Sequence, residues 1–157
     1  MKAVLQRVSE ASVKVDGAVV GSCGAGLMIL LGVAQGDSEE DARLLATKIA
    51  NLRIFCDDAG KMNLSVKDIG GGVLVVSNFT LLADYAHGNR PSYFGAAAPD
   101  RAEMLYLDFV HRMQQEIRQV EKGVFGADMK IDMEANGPVT IVMDSEVLKN
   151  KGKGKQA

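Results

Sequence analysis

Gly70-Gly71-Gly72-Val73-Leu74-Val75-Val76 runs directly into Ser77-Asn78-Phe79-Thr80-Leu81-Leu82-Ala83-Asp84. A glycine turn feeds an apolar run made mostly of β-branched residues. Such a run, bounded by turn residues, predicts a strand buried on both faces. Ser77, Asn78 and Thr80 then interrupt the apolar stretch. Small polar side chains there are costly unless their hydrogen bonds are met. Two readings are open. The hydroxyls close a strand-end turn on local backbone, or the end of a buried strand offers backbone N–H groups and hydroxyls to a ligand.

Upstream, residues 2–8 and 11–20 read as strands, with Asp16-Gly17 as a hairpin turn inside the second. Gly21 to Gly26 is a glycine-rich turn without the spacing of a phosphate loop. Leu27 to Val33 is a second fully apolar strand. Ser38-Glu39-Glu40-Asp41 is a helix start, a hydroxyl followed by acids in the first turn. Ala42, Leu45, Ile49 and Leu52 give that helix one apolar face. Ile54 to Cys56 is extended. Asp57-Asp58-Ala59-Gly60-Lys61 is a turn, either solvated or a carboxylate pair for a metal.

Downstream, Tyr85 to Ala98 is irregular, and loops rich in Gly, Asn, Arg and aromatics often carry function. A plain surface crossover is the alternative. A second helix starts at Ala98-Pro99-Asp100, buries Ala102, Leu105, Phe109, Met113 and Ile117, and is expected to end near Gly123. Met129 to Asp144 alternates apolar and polar residues and predicts a hairpin. Its turn is Ala135-Asn136-Gly137-Pro138, where the Gly-Pro bond is either an ordinary trans link or a cis one. The fold class that follows is mixed α/β: a single domain with a curved, barrel-like, mainly antiparallel sheet and two main helices.

The chain of 157 residues suffices for one domain with a real core. That domain is expected over 1–148, with 149–157 as a disordered, solvated Lys/Gly-rich tail. Cutting the chain after Asp144 is therefore expected to leave activity largely intact. The net charge of −2 becomes −6 once the four lysines of 149–157 are set aside. A body so charged is no general polyanion binder, and nucleic acid would meet a local patch or a specific end. No apolar run reaches bilayer length. Met1 to Arg7 turns polar too early for a signal peptide, and Cys23 and Cys56 are too few for a disulfide framework. A cytoplasmic setting follows.

Material for side-chain catalysis is scarce. His87 and His111 are the only histidines, and His111 falls on a helix. No spacing suggests a His-activated nucleophile or a zinc site. Thr80 is the natural nucleophile candidate, but no base sits beside it in sequence. An enzyme built this way would lean on backbone donors and on its substrate.

Met1 to Val33, Ser77-Asn78-Phe79-Thr80-Leu81 and Asn136-Gly137-Pro138-Val139-Thr140 together resemble the D-aminoacyl-tRNA deacylase family. Gly88-Asn89-Arg90-Pro91-Ser92 and Gly123 to Met129 fit it too, so the resemblance spans nearly all of the chain before the lysines. It implies a cofactor-free, metal-free homodimer that hydrolyses the ester between a D-amino acid, or mischarged glycine, and the 3′ end of tRNA. No membrane or DNA partner is implied. In the family the Gly-Pro bond is cis and reaches into the partner subunit's site, so Gly137 and Pro138 are expected to reject L-amino acids. Arg7 matches an arginine that buttresses this tip; otherwise it is a surface charge on an edge strand. Backbone N–H groups near Phe79 and Thr80 are expected to hold the oxyanion, the substrate 2′-hydroxyl to help activate water, and Ser77 to position the 3′ end. Asn78 stands where the family has Gln, which shortens that amide side chain by a methylene.

Overall fold

In the computed structural model, which describes residues 1–152, the glycine-fed apolar run is β6 (Gly72–Ser77). Its side chains alternate between two cores. Val73 and Val75 join one buried cluster, Leu74 and Val76 the other. Period-two alternation with both faces covered is what a fully apolar strand requires. Beside it lies β3 (Gly26–Gly32), parallel, pairing Leu27 with Val73 through Leu31 with Ser77. The two strands begin at a close approach: a Cβ on Gly26 would stand 1.8 Å from the Gly72 carbonyl oxygen. Only glycine fits there.

The spine of the sheet is β1 (Lys2–Val15). On one edge its first half pairs with β3, and its second half pairs with β2 (Ala18–Cys23) across Asp16-Gly17. Its other edge carries β8 (Lys130–Asp144) along nearly the whole length, from Lys2 opposite Asp144 to Lys14 opposite Lys130. The expected hairpin over Met129 to Asp144 is thus a single strand. Both of its halves pair with β1 rather than with each other, because β1 is long enough to satisfy both. The Asn-Gly-Pro signal is used by a bulge: Asn136, Gly137, Pro138 and Val139 stand between the Gln6–Thr140 and Val8–Ala135 pairs, opposite Arg7 alone.

The second helix is shorter than its apolar pattern suggests. α2 (Pro99–Glu116) stops where Ile117 turns extended. The next residues form β7 (Gln119–Lys122), parallel to β6. Backbone pairing to a buried neighbour and the packing of Val120 against the core outweigh the helix preference of Gln119, Glu121 and Lys122. β2 curls over β7: the Ser22 N–H donates to Glu121 Oε2 at 2.6 Å. The sheet is nearly closed, around Val8, Val13, Met28, Leu74 and Val76. On its other side α1 (Glu39–Ala50) and α2 bury Leu45, Ile49, Leu105, Phe109 and Met113. A small ribbon, β4 (Phe55–Cys56) with β5 (Met62–Leu64), follows α1. The observed class is the mixed α/β, barrel-like fold with two main helices.

A third helix, α3 (Ser145–Lys149), is one that the sequence reading assigns no structure. It belongs to a buried polar cluster. The Met1 ammonium donates to Asp37 Oδ1 at 2.7 Å and to Ser145 Oγ at 2.8 Å; Ser145 Oγ donates to Asp41 Oδ1 at 2.5 Å. Lys149 Nζ lies 2.7 Å from the same Asp41 oxygen. Lys149, placed in the tail by its composition, thus ends α3 and pairs with the buried Asp41. A 3-10 turn over Asn150–Gly152 follows; 153–157, the rest of the expected tail, lie outside the described residues.

Candidate active site

β3, β6 and β7 run parallel and end at one mouth, where strand connections rather than side-by-side backbone form the walls. A cavity of about 930 Å³ opens there. Its walls come from Ser77 to Thr80 after β6, from Tyr93 to Pro99 before α2, and from Phe125 to Met129 after β7. Apolar side chains from both cores, such as Leu31 and Val76, reach its floor.

The Ser77–Thr80 motif is pinned from behind. The Asn78 N–H donates to the Leu31 carbonyl at 2.8 Å, extending the β3–β6 ladder by one residue. A 3-10 turn over Phe79–Leu82 then starts, and the Leu81 N–H returns to the Asn78 carbonyl. The first N–H groups of a helical turn have no partner within it. Among the described residues, the Phe79 and Thr80 N–H groups donate to no protein acceptor. The Thr80 hydroxyl bonds to Asn78 Oδ1, a neutral amide and not a base. Phe79 is 58% exposed, and its ring meets Tyr93 edge-on at 5.1 Å.

The irregular loop is more than a crossover. Asp84 and Ser92 exchange two backbone bonds of 2.8 Å, closing off its tip. Gln35 N–H to Gly95 O and Ala97 N–H to Val33 O, both 2.9 Å, hold the returning stretch against the end of β3. Tyr93, Phe94 and Ala96 to Ala98 thus line the cavity, while Gly88-Asn89-Arg90 do not. Tyr106, on the cavity side of α2, donates to the Val75 carbonyl at 2.9 Å; burial pushes its hydroxyl well above its ordinary pKa. Tyr106 is absent from the apolar face read along this helix, although it is buried between Leu105 and Phe109. The Phe125–Met129 wall was signalled only as a family-like motif.

Among the described residues that line this cavity there is no histidine, lysine or arginine. Asp128 is the one carboxylate; its side chain is 87% exposed and pairs with Lys130. His87 and His111 are exposed and outside the lining. Among the described residues, the cavity lining offers a hydroxyl nucleophile no activating histidine and no carboxylate but the ion-paired Asp128.

Gly137 and Pro138 lie elsewhere on the subunit, outside the cavity lining, on the exposed bulge of β8. The Gly137–Pro138 bond is cis. Arg7 holds the bulge from the middle of the sheet, not from an edge strand. Its Nε donates to the Asn136 carbonyl at 3.1 Å and its Nη1 to the Ile54 carbonyl at 2.8 Å. The structure gathers Ser77, Asn78, Phe79 and Thr80 at one site, and Arg7, Gly137 and Pro138 at another.

The family model described as D-Tyr-tRNA(Tyr) deacylase matches residues 4–144. The chain belongs to this family. A D-aminoacyl-tRNA deacylase of Anaeromyxobacter dehalogenans (strain 2CP-C) is 55% identical over 148 residues, covering 94% of this chain and 99% of that one. One of Deinococcus radiodurans is 56% identical over 144 residues, covering 92% and 99%. Among solved structures, one titled c-Myc DNA Unwinding Element Binding Protein is 37% identical. It superposes with a TM-score of 0.87 over 92% of this chain and 98% of that one.

Proposed function

We propose that the protein hydrolyses the ester of D-aminoacyl-tRNA with its backbone and its substrate rather than with a side-chain base. The deacylase activity itself, that of a hydrolase, follows from family membership. One observation carries the mechanism: Phe79 and Thr80, whose N–H groups donate to no protein acceptor among the described residues, line a cavity whose lining holds no side-chain base except an exposed, ion-paired aspartate. Donors already aimed at a developing oxyanion need no reorganisation as charge appears. Water adds to the ester carbonyl carbon, and the carbonyl oxygen takes the charge between the Phe79 and Thr80 N–H groups. Collapse expels the 3′-oxygen of the terminal adenosine, and the neighbouring 2′-hydroxyl relays the proton from water to it. Free D-amino acid and tRNA leave. Ser77 positions the 3′ end, and Asn78 fixes the Thr80 side chain.

The chiral filter is the bulge of a second subunit. Gly137 and Pro138 face solvent on their own subunit, which suits a segment that works in a homodimer partner's cavity. Their carbonyls hold the substrate amino group and leave no room on the L side, so rejection is steric. Mischarged glycine, with no side chain, passes. Rapid release of tyrosine from D-Tyr-tRNA and none from L-Tyr-tRNA is the expected result; equal release from both would refute the filter, and release from neither would refute the reaction.

Gly137→Ala tests the bulge directly. Gly137 has φ +126°, and an added Cβ would lie 2.9 Å from the Val139 nitrogen and 3.0 Å from Arg7 Nη2. The bulge must shift to admit it. Release from L-Tyr-tRNA is expected to rise by about tenfold or more, the equivalent of losing about 1.4 kcal/mol of discrimination. An unchanged D/L ratio would count against the bulge as the filter.

A further inference from the structure

We infer that the loop tip over 85–91, with Phe94 beside it, holds the single-stranded nucleotides that precede the terminal adenosine of the tRNA. Their bases lie on the Tyr85 and Phe94 rings, and a phosphate meets Arg90. This rests on the deacylase reading for the identity of the RNA.

A terminal nucleotide in the cavity stays bonded to the strand behind it, so that strand must cross the rim. Among the described residues, the cavity lining offers no cation to a phosphate. Attraction must come from the rim. The wall over Phe125–Met129 presents Asp128, and Lys130 is already paired with it at 3.2 Å. The wall from Ser77 to Thr80 carries no charge. The loop tip joins that wall to the one that starts at Tyr93: Asp84 lies four residues beyond Thr80, and Ser92 precedes Tyr93.

The tip supplies the cation. Arg90 is exposed and, among the described residues, pairs with no carboxylate. The acid at the base of the tip is turned to the backbone: Asp84 Oδ1 accepts the Ala86 N–H at 2.9 Å. An exposed guanidinium with no balancing acid matches a phosphate in charge and in shape. The same rim supplies rings. Phe94 is 88% exposed and Tyr85 81%, above every other large apolar side chain among the described residues. Rings left in water forgo the free energy of burial, and two of them beside one cavity mark a binding surface. Phe79 and Tyr93 differ, since they meet each other edge-on at 5.1 Å. A strand of unpaired bases is the ligand that uses both features at once, its phosphates on the cation and its bases on the rings. The two 2.8 Å bonds between Asp84 and Ser92, with Gly88 at φ +69°, hold the tip in shape before RNA arrives.

The test uses Tyr85→Ala, Phe94→Ala and Arg90→Gln in the full chain. All three side chains are exposed, so thermal midpoints should match that of the parent. Binding of a single-stranded RNA of about eight nucleotides ending in CCA is measured by fluorescence anisotropy across a range of salt. Each alanine variant should weaken binding by about fivefold or more with the salt slope unchanged. Arg90→Gln should lower the slope of log K against log salt by about 0.7, the share of one phosphate contact. On D-Tyr-tRNA, KM should rise in all three with kcat unchanged, as expected for a contact made equally before and in the transition state. On the 3′-D-tyrosyl ester of adenosine alone, which has no strand to hold, all three should equal the parent. RNA binding unchanged in all three would overturn the inference, including the case where the alanine variants alter only the oligomeric state, which would assign the rings to a second copy of this chain. An equal loss on the adenosine ester would overturn it too, because the effect would then lie within the cavity. Failure of the parent to release D-tyrosine from D-Tyr-tRNA would defeat the deacylase reading, and the RNA comparison would still decide this one.

Discussion

Thr80→Pro is expected to reduce release from D-Tyr-tRNA by about 100- to 1,000-fold, while Thr80→Val keeps most of it. The two variants separate the backbone from the side chain. Valine removes the hydroxyl and keeps the N–H; it breaks only the bond to Asn78 Oδ1, an exposed pair of small energetic weight. Proline removes the N–H that the proposed mechanism places against the oxyanion. The exchange is locally tolerable because Thr80 lies in the first turn of a 3-10 segment, where its N–H has no protein acceptor among the described residues. Proline is admitted at such positions. Thermal midpoints close to that of the parent would show that the loss is chemical. A Thr80→Val enzyme as dead as Thr80→Pro would instead make the hydroxyl the nucleophile and sink the backbone mechanism.

Ending the chain after Asp144 is expected to cost about 3–5 kcal/mol of stability, the usual penalty for stripping a buried charge of its partner. The Asp41 carboxylate is fully buried and does two jobs. Oδ2 accepts the Ser38 N–H at 2.9 Å at the start of α1, and Oδ1 receives Ser145 and Lys149. Burial alone would raise its pKa; the bonds from Lys149, Ser145 and Ser38 outweigh that and hold it well below the usual carboxylate range. The same pairing raises Lys149 above its ordinary value. A lowered acid stabilises above its unfolded pKa, a raised base below its own. The contribution is thus complete between about pH 4 and about pH 10. It is lost as pH falls through the folded value of Asp41. Urea midpoints of the full chain, one ended after Gly152 and one ended after Asp144 should show the first two alike and the third far lower. The gap should narrow below about pH 4. A gap that persists unchanged into acid would show that Asp41 is not its source.

The burial of β6 on both faces was legible because an apolar run with no polar alternation has one good solution. The first helix was legible from its acids and its apolar stripe. The missed features share a cause. β7 is a short tetrad with one apolar residue, Val120, and its strand state depends on β6 beside it. β8 reads as a hairpin because Asn136-Gly137-Pro138 is a turn signal, and nothing local says that a partner spans both halves. That partner, β1, itself read as two strands because Ser9-Glu10 interrupts its apolar pattern. Within the site, Ser77 to Thr80 stood out as polar residues in an apolar run. The walls from Tyr93 to Pro99 and from Phe125 to Met129 come from loops whose meeting point is set by the ends of three parallel strands.

The bulge of β8 has the character of an exchangeable cassette. The strands are paired on both sides of it, at Gln6–Thr140 and at Val8–Ala135 with a second shift before Glu10–Glu134, and Arg7 alone faces the residues between. Length and composition can therefore change at 136–139 without sliding either half of the strand, since a slip would turn every buried side chain outward. On the proposed reading, selectivity can drift or be redesigned at this one insert while the barrel and the cavity stay as they are.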